Sequence, residues 1–160
     1  MTDEKGYTES EAHYLFATSF RERAWSLLDQ PNRTGDENDR MLDYAHASLT
    51  HWRFTGTAVH HQRGVWMLSR VYAVLGQASL AEYYARRCLE FLQSDKAEME
   101  DFDFAFGAEG LARAYAIAGD RPEALKYIAQ AQQAGEAIAN QDDRDAFFKE
   151  FNGGNWNGMK

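Results

Sequence analysis

Two stretches of the chain align with each other without a gap: VWMLSRVYAVLGQASLAEYYARRC (Val65–Cys88) and AEGLARAYAIAGDRPEALKYIAQA (Ala108–Ala131). The matching positions hold leucine, a small residue, tyrosine, glycine and alanine, as Leu68 and Leu111, Ser69 and Ala112, Tyr72 and Tyr115, Gly76 and Gly119, and Ala81 and Ala124. Apolar residues recur every three or four positions before and after each glycine, as on one face of a helix. Glycine is suited to the left-handed conformation that ends a helix. The pattern predicts two helical hairpins.

The two stretches resemble the tetratricopeptide (TPR) repeat, a pair of antiparallel helices whose signature contains leucine, a small residue, tyrosine and alanine. The separation of Val65 and Ala108 is 43 residues, which is longer than the standard TPR unit of about 34 residues. Val65 and Ala108 replace the first large aromatic residue, and Gln93 and Glu136 stand in place of the terminal proline. The longer separation also suits HEAT-like helix pairs. The resemblance implies hairpins stacked as a short superhelix with a C-terminal capping helix.

The rest of the chain has the same helical period, so one all-α domain is expected over residues 1–160. Its expected parts are a divergent first hairpin at 8–54, repeats at 58–94 and 103–139, and a capping helix with a Gly/Asn-rich tail at 140–160. Residues 31–38, PNRTGDEN, are predicted to form a loop. Capping boxes predict helix starts at Thr8, Ser79 and Asp120. The buried face of the first helix is predicted from its apolar residues, which are Ala12, Leu15, Phe16, Phe20, Ala24, Leu27 and Leu28.

Charge and composition restrict the classes of function. The chain has 17 Lys+Arg and 25 Asp+Glu, a net charge of −8, which disfavours nucleic acid or an anionic membrane as the partner. No apolar run approaches the about 18 uncharged residues of a membrane span, and the polar N-terminal residues do not form a signal peptide. The single cysteine, Cys88, permits no disulfide within the chain. A reducing, cytoplasmic location is therefore expected.

In TPR domains the first helix of each hairpin lines a concave groove, and the resemblance implies which residues would meet a ligand. They are Arg63, Trp66 and Arg70 on the third helix and Phe106, Glu109 and Arg113 on the fifth. Carboxylate-binding TPR domains hold polar or basic groups at such positions to grip a peptide's C-terminal carboxylate, and a guanidinium can donate two parallel hydrogen bonds to one. The alternative is that Glu109 and Arg113 pair one turn apart and that Arg70 lies over Trp66.

The histidines and acidic residues form no recognisable metal motif. His60 and His61 are adjacent, so they point about 100° apart on a helix, and they are expected in the first turn of the third helix. The acidic run at residues 95–103 lacks the glycine and the final glutamate of an EF-hand loop. Carboxylates there are expected to cap the fifth helix, and Cys88 is expected to be buried. No metal or cofactor is expected.

These observations predict a non-enzymatic module that binds a protein or peptide segment, bearing a carboxylate, in the concave groove. The alternative is a homo-oligomeric regulatory or assembly subunit, because fewer than three good repeats leave a terminal hairpin incompletely covered. A metal enzyme or hydrolase that uses His60, His61 and the acidic run is the third class considered.

Overall fold

The computed structural model describes residues 6–160 and contains seven α-helices. They are α1 (Glu9–Asp29), α2 (Gly35–Thr55), α3 (Ala58–Val74), α4 (Ala78–Ser94), α5 (Asp101–Ala118), α6 (Arg121–Glu136) and α7 (Gln141–Asn152). A single 3₁₀ turn, Lys96–Glu98, precedes α5. Residues 6–160 contain no strand, so the predicted all-α class is confirmed. Within the same residues, no helix is both long enough and apolar enough to cross a membrane.

Local capping chemistry starts α1 and α6 where the sequence predicted. The Thr8 hydroxyl accepts a hydrogen bond from the N–H of Glu11, whose carboxylate accepts one in return from the N–H of Thr8 at 2.8 Å. Asp120 caps α6 by accepting from the N–H of Glu123 at 3.2 Å. Pro122 lies in the first turn of α6, where the missing N–H of proline has no partner to lose.

One predicted helix start and part of one predicted loop are wrong. Helix α4 begins at Ala78 with Gln77 as its N-cap residue, so Ser79 lies inside the first turn and makes no cap. The chain turns between α3 and α4 in only three residues, and α4 therefore starts earlier than a cap at Ser79 would allow. Residues 35–38 belong to α2 because Thr34 and Glu37 form a capping box within the segment predicted as a loop.

The helices form three hairpins along the chain. The most extensive contacts join α1 to α2, α3 to α4, and α5 to α6, and the short connections make the partners antiparallel. Contacts of α2 with α3 and of α4 with α5 hold the hairpins together in chain order. Helix α3 also packs directly on α5. This order of packing is compatible with TPR-like stacking.

Both tyrosines of the aligned stretches are buried, as expected. Tyr72 is 8% exposed and Tyr115 is 6% exposed. Tyr72 stacks on Tyr84 with ring centroids 5.6 Å apart, and Tyr115 stacks on Tyr127 at 5.7 Å. The two pairs therefore make the same contact at the same separation in sequence.

Small residues and glycines allow the close helix contacts of the two hairpins. Ala81 and Ala124 have no exposed surface. Gly76 and Gly119 follow the first helix of their hairpins with φ angles of +74° and +77°, a region that favours glycine. Cys88 is also fully buried, as expected, and desolvation raises the pKa of its thiol to about 12.

The buried face of α1 differs from the predicted one. Ala24 is fully buried, but Leu15 is 46% exposed and Phe16 is 52% exposed. The missed contact is at Ala17, which is fully buried and whose carbonyl accepts a hydrogen bond from the hydroxyl of Ser48 at 2.7 Å. Because α1 approaches α2 through the small residues Ala17 and Ala24, two turns apart, Leu15 and Phe16 lie outside the contact, whereas Leu27 and Leu28 pack against the core as predicted.

The last helix and the tail cover α5 and α6. Phe147 and Phe151 of α7 are fully buried, and the ring of Phe147 packs edge-on against Phe106 at 5.1 Å. Gly135 gives the Phe147 ring room to approach the backbone of α6. Trp156 of the tail is buried and donates its indole N–H to the carbonyl of Phe151 at 3.1 Å. The Gly/Asn-rich tail is therefore an ordered part of the fold.

Candidate functional site

The six predicted groove residues lie along the contact between α3 and α5, but few of them are open to a ligand. Trp66, Glu109 and Arg113 are buried, with exposures of 7%, 0% and 2%. Trp66 packs edge-on against Phe106, with ring centroids 5.0 Å apart. The TPR resemblance implied that these side chains lie on facing helices, and α3 and α5 are in contact; the resemblance gave no measure of how closely the two helices meet.

Four charged side chains form what we call the ion-pair cluster: Arg70, Glu109, Arg113 and Glu150. Glu109 Oε1 accepts from Nε of Arg113 and lies 3.5 Å from Nη1 of Arg70. Glu150 of α7 lies 3.5 Å from Nη2 of Arg70. The pairing of Glu109 with Arg113 is the alternative weighed from the sequence, and it occurs inside the protein. Burial lowers the pKa of Arg113, and the charge of Glu109 opposes that shift.

A cavity of about 450 Å³ borders the ion-pair cluster, and we call it the arginine cavity. Three arginines line it, Arg33, Arg70 and Arg113, together with apolar and amide side chains and backbone from α1, α3, α5 and the tail. No acidic side chain of residues 6–160 belongs to its wall. Its wall therefore carries three guanidinium groups, of which Arg70 and Arg113 also pair with the carboxylates of the ion-pair cluster and Arg33 pairs with none within residues 6–160.

Two of these guanidinium groups converge beside Gly154. A β-carbon at Gly154 would lie 2.8 Å from Nη1 of Arg113 and 3.4 Å from Nη2 of Arg70. The hydrogen bonds of Arg113 are made by Nε and Nη2. Nη1 of Arg113 makes none with any part of the chain that the structure describes. The bonds of Arg70 are 3.5 Å long, beyond the usual range of about 2.7–3.2 Å. The guanidinium groups of Arg70 and Arg113 can therefore still donate hydrogen bonds to one anion beside Gly154.

Arg33 is the residue of this cavity that the sequence reasoning missed. It follows α1, and its Nη1 donates to the carbonyls of Leu27 and Gln30 at 2.9 and 2.8 Å, while its Nε donates to Asn38. These neutral acceptors fix the side chain without cancelling its charge. A basic residue near a helix C-terminus often donates hydrogen bonds to the last carbonyls of the helix. The composition of residues 31–38 indicates only a loop and does not predict this role for Arg33.

A second cavity, of about 240 Å³, lies where α1, α3 and α5 meet, and we call it the aromatic cavity. Its wall contains the rings of Trp25, Trp66, Phe102 and Phe106. Arg63 lines it too, but the guanidinium is bound by both carboxylate oxygens of Asp103, at 2.9 and 3.1 Å. The predicted groove residues are thus divided, with Arg63, Trp66 and Phe106 at the aromatic cavity and Arg70 and Arg113 at the arginine cavity.

The histidines and the acidic run serve local structure. His60 lies in the first turn of α3, as expected, and its ring accepts a hydrogen bond from the N–H of Thr57 at 3.1 Å. His61 bonds to the carbonyl of Trp52 at 3.0 Å. Asp103 completes a capping box at the start of α5. Within residues 6–160, no three His, Cys, Asp or Glu side chains come together to hold a metal ion.

The fold and its two cavities define the protein as an all-α bundle of helical hairpins, with an arginine-lined and an aromatic-lined cavity bordered by the same three helices. No family model, no curated protein and no solved structure matches this chain.

Proposed function

We propose that this protein is a non-enzymatic, TPR-like binding module whose ligand is a carboxylate-bearing segment of a partner protein. The observation that carries the proposal is the arginine cavity, whose wall contains Arg33, Arg70 and Arg113 and no acidic side chain of residues 6–160. The segment would place its carboxylate beside Gly154.

The geometry at Gly154 favours a carboxylate over a single-atom anion. Nη1 of Arg113 and Nη2 of Arg70 come from different helices and both approach Gly154, where an added β-carbon would lie 2.8 and 3.4 Å from them. A carboxylate has two oxygens, so it can accept hydrogen bonds from both guanidinium groups at once. Arg33 adds a third positive charge at the wall, and Ile117 and Leu28 supply apolar surface for the residue that carries the carboxylate.

Contacts with the end of α7 and with the tail support this role by holding Arg113 in place. Arg113 donates to the backbone carbonyls of Glu150 and Gly153 at 2.6 and 3.0 Å, and its guanidinium lies 4.1 Å from the ring centroid of Trp156. These contacts fix the orientation of the group, so a ligand would not have to pay the entropy of ordering it. The tail thus forms one wall of the proposed site.

The direct test uses a fluorescein-labelled tetraglutamate peptide and fluorescence anisotropy, with tetraglutamine and tetralysine as comparison peptides, all three with an amidated C-terminus so that only the glutamate side chains supply carboxylates. Tetraglutamate is expected to bind, and its affinity is expected to fall with added salt because the contact is ionic. Binding of tetralysine, or equal binding of tetraglutamate and tetraglutamine, would contradict the proposal.

The matched variants are Gly154→Ala and Gly158→Ala. Both glycines have positive φ, +77° and +72°, so both substitutions strain the tail in the same way. Only the new methyl group at position 154 meets the arginines, since nothing lies within 4 Å of a β-carbon at Gly158. Gly154→Ala is expected to weaken tetraglutamate binding by about tenfold or more, equivalent to about 1.4 kcal/mol. Equal affinities of the two variants would move the site elsewhere.

A homo-oligomeric assembly subunit is the second candidate, and one surface favours it. Phe16 and Phe54 of the first hairpin are 52% and 66% exposed. Phe16 contacts the ring of His51 and Phe54 contacts the ring of His13, and these two histidine rings adjoin each other. Clustered apolar groups on a surface often mark an interface. A concentration-dependent mass above 18.3 kDa in sedimentation equilibrium that Phe16→Ser reduces would support this role.

A further inference from the structure

The aromatic cavity is a separate space from the arginine cavity, since no residue of the described chain lines both. We propose that it binds a small molecule consisting of one aromatic ring with a carboxylate substituent. This site is independent of the partner segment proposed above.

The size and the walls of the cavity suit an aromatic ring. Its volume is about 240 Å³, and a cavity of about 150 Å³ in another protein accepts benzene, so one ring with one substituent fits. Trp25 and Trp66 are 5.6 Å apart between centroids and tilted by 34°. Phe102 and Phe106 complete the wall on the α5 side. Such surfaces suit stacked or edge-on contacts with a planar ring.

The charge at the rim selects an anion. Arg21 and Arg63 line the cavity, and Asp103 is its only acidic wall residue within the described chain. Asp103 is fully engaged by Arg63. Arg21 is exposed and forms no ion pair with residues 6–160. One guanidinium charge therefore remains without a partner at the mouth.

The same charges exclude a cationic ring. The guanidinium of Arg63 already lies 4.8 Å from the ring centroid of Phe102, where a cationic ligand would make its contact. Arg21 and Arg63 also border an adjoining cavity of about 200 Å³, which gives a carboxylate room beside them. His60 lines that adjoining space; burial lowers its pKa, and the positive charges of Arg63 and Arg21 lower it further.

Two buried polar atoms of the wall residues lack partners. Oε1 of Gln62 and Nε1 of Trp66 make no hydrogen bond with residues 6–160. The amide nitrogen of Gln62 is used, since it donates to the sulfur of Cys88 at 3.1 Å. Nε1 of Trp66 lies on the side of Gly110, away from the residues that line the cavity. A hydroxyl group on the ligand ring would instead donate to Oε1 of Gln62, a residue of the cavity wall. This favours a hydroxylated aromatic acid.

The test uses three probes that share a phenol ring and differ in charge: 4-hydroxybenzoate, 4-hydroxybenzyl alcohol and tyramine. The chain has four tryptophans, so the indole N–H signals of the ¹⁵N-labelled protein report where a probe binds. 4-Hydroxybenzoate is expected to give saturable shifts at Trp25 and Trp66 and none at Trp156. The alcohol is expected to bind at least tenfold more weakly, and tyramine is expected to give no saturable shift.

Arg21→Ala and Arg23→Ala form the matched pair, because both arginines are exposed on α1 and only Arg21 lines the cavity. Arg21→Ala is expected to weaken 4-hydroxybenzoate binding at least fivefold, and Arg23→Ala by less than twofold. Equal effects of the two variants, equal shifts from all three probes, or shifts centred on Trp156 would each overturn the proposal.

Discussion

Replacing Glu109 with glutamine, Glu109→Gln, would remove the carboxylate at the centre of the ion-pair cluster. Side-chain exposures of 1% for Glu109 and 3% for Arg113 mean that water cannot replace the lost charge. Arg113 would keep only neutral acceptors, namely the amide oxygen of the new glutamine and the backbone carbonyls of Glu150 and Gly153. Breaking a buried ion pair by removing one partner typically costs about 3–5 kcal/mol, because the remaining charge stays buried and uncompensated.

For a chain of this length each kcal/mol changes the melting temperature by about 2–4 °C, so Glu109→Gln is expected to lower it by roughly 10 °C. The assay is thermal and urea unfolding followed by circular dichroism. Glu90→Gln is the control, because the pair of Glu90 with Arg87 is on the surface, where such pairs contribute about 0–1 kcal/mol.

A double variant, Glu109→Gln with Arg113→Met, separates the loss of charge balance from the loss of packing. The double variant has methionine at position 113 and therefore buries no unpaired charge there. It is expected to be more stable than Glu109→Gln alone. A melting temperature of Glu109→Gln within 2 °C of the wild type would refute the reasoning. The reasoning would also be refuted if the double variant lost more free energy of unfolding than Glu109→Gln and Arg113→Met lose together as single variants.

Three further predictions concern the core and the titratable groups. Ala124→Leu is expected to cost about 1–3 kcal/mol by overpacking a fully buried contact, whereas Ala129→Leu, on the exposed face of α6, should leave the urea midpoint unchanged. Because burial raises the pKa of Cys88 to about 12, iodoacetamide at pH 8 should label the native protein far more slowly than the urea-unfolded protein, and equal rates would contradict the assigned burial. Burial also lowers the pKa values of three histidines, namely His46, His51 and His60. The unfolded chain therefore binds protons first as the pH falls through about 6.5, so urea unfolding should show lower stability at pH 5.5 than at pH 7.5, and an unchanged midpoint would contradict it.

Much of the helical order could be predicted because its causes are local. The capping contacts at Thr8 and Asp120 join residues three positions apart, and the left-handed glycines Gly76 and Gly119 follow from backbone sterics alone. The burial of Tyr72 and Tyr115 could be predicted because both lie on the apolar faces of aligned segments. The start of α4 could not be predicted in this way. Serine is a residue type that commonly caps helices, but the short turn after α3 decides the first helical residue, so Ser79 lies inside α4.

The face of α1 shows where a periodic pattern is insufficient. Leu15 and Phe16 have the spacing of a buried stripe, but α1 meets α2 through Ala17 and Ala24. A helical period gives the angle between side chains, not the side from which a neighbouring helix approaches. That side depends on contacts such as the hydrogen bond from Ser48 to the carbonyl of Ala17, between residues far apart in sequence.

The sequence by itself determined the all-α class and most helix boundaries, since these depend on capping and periodicity, and its resemblance to TPR repeats implied that Arg70 and Arg113 lie on facing helices. Only the tertiary structure decided that Glu109 is buried between these arginines and that Gly154 of the tail lies beside them. It also brought Arg33 to the same cavity. Residues so distant along the chain meet only when the packed hairpins bring them together, and burial then decides which charges are neutralised inside the protein and which remain available to a ligand.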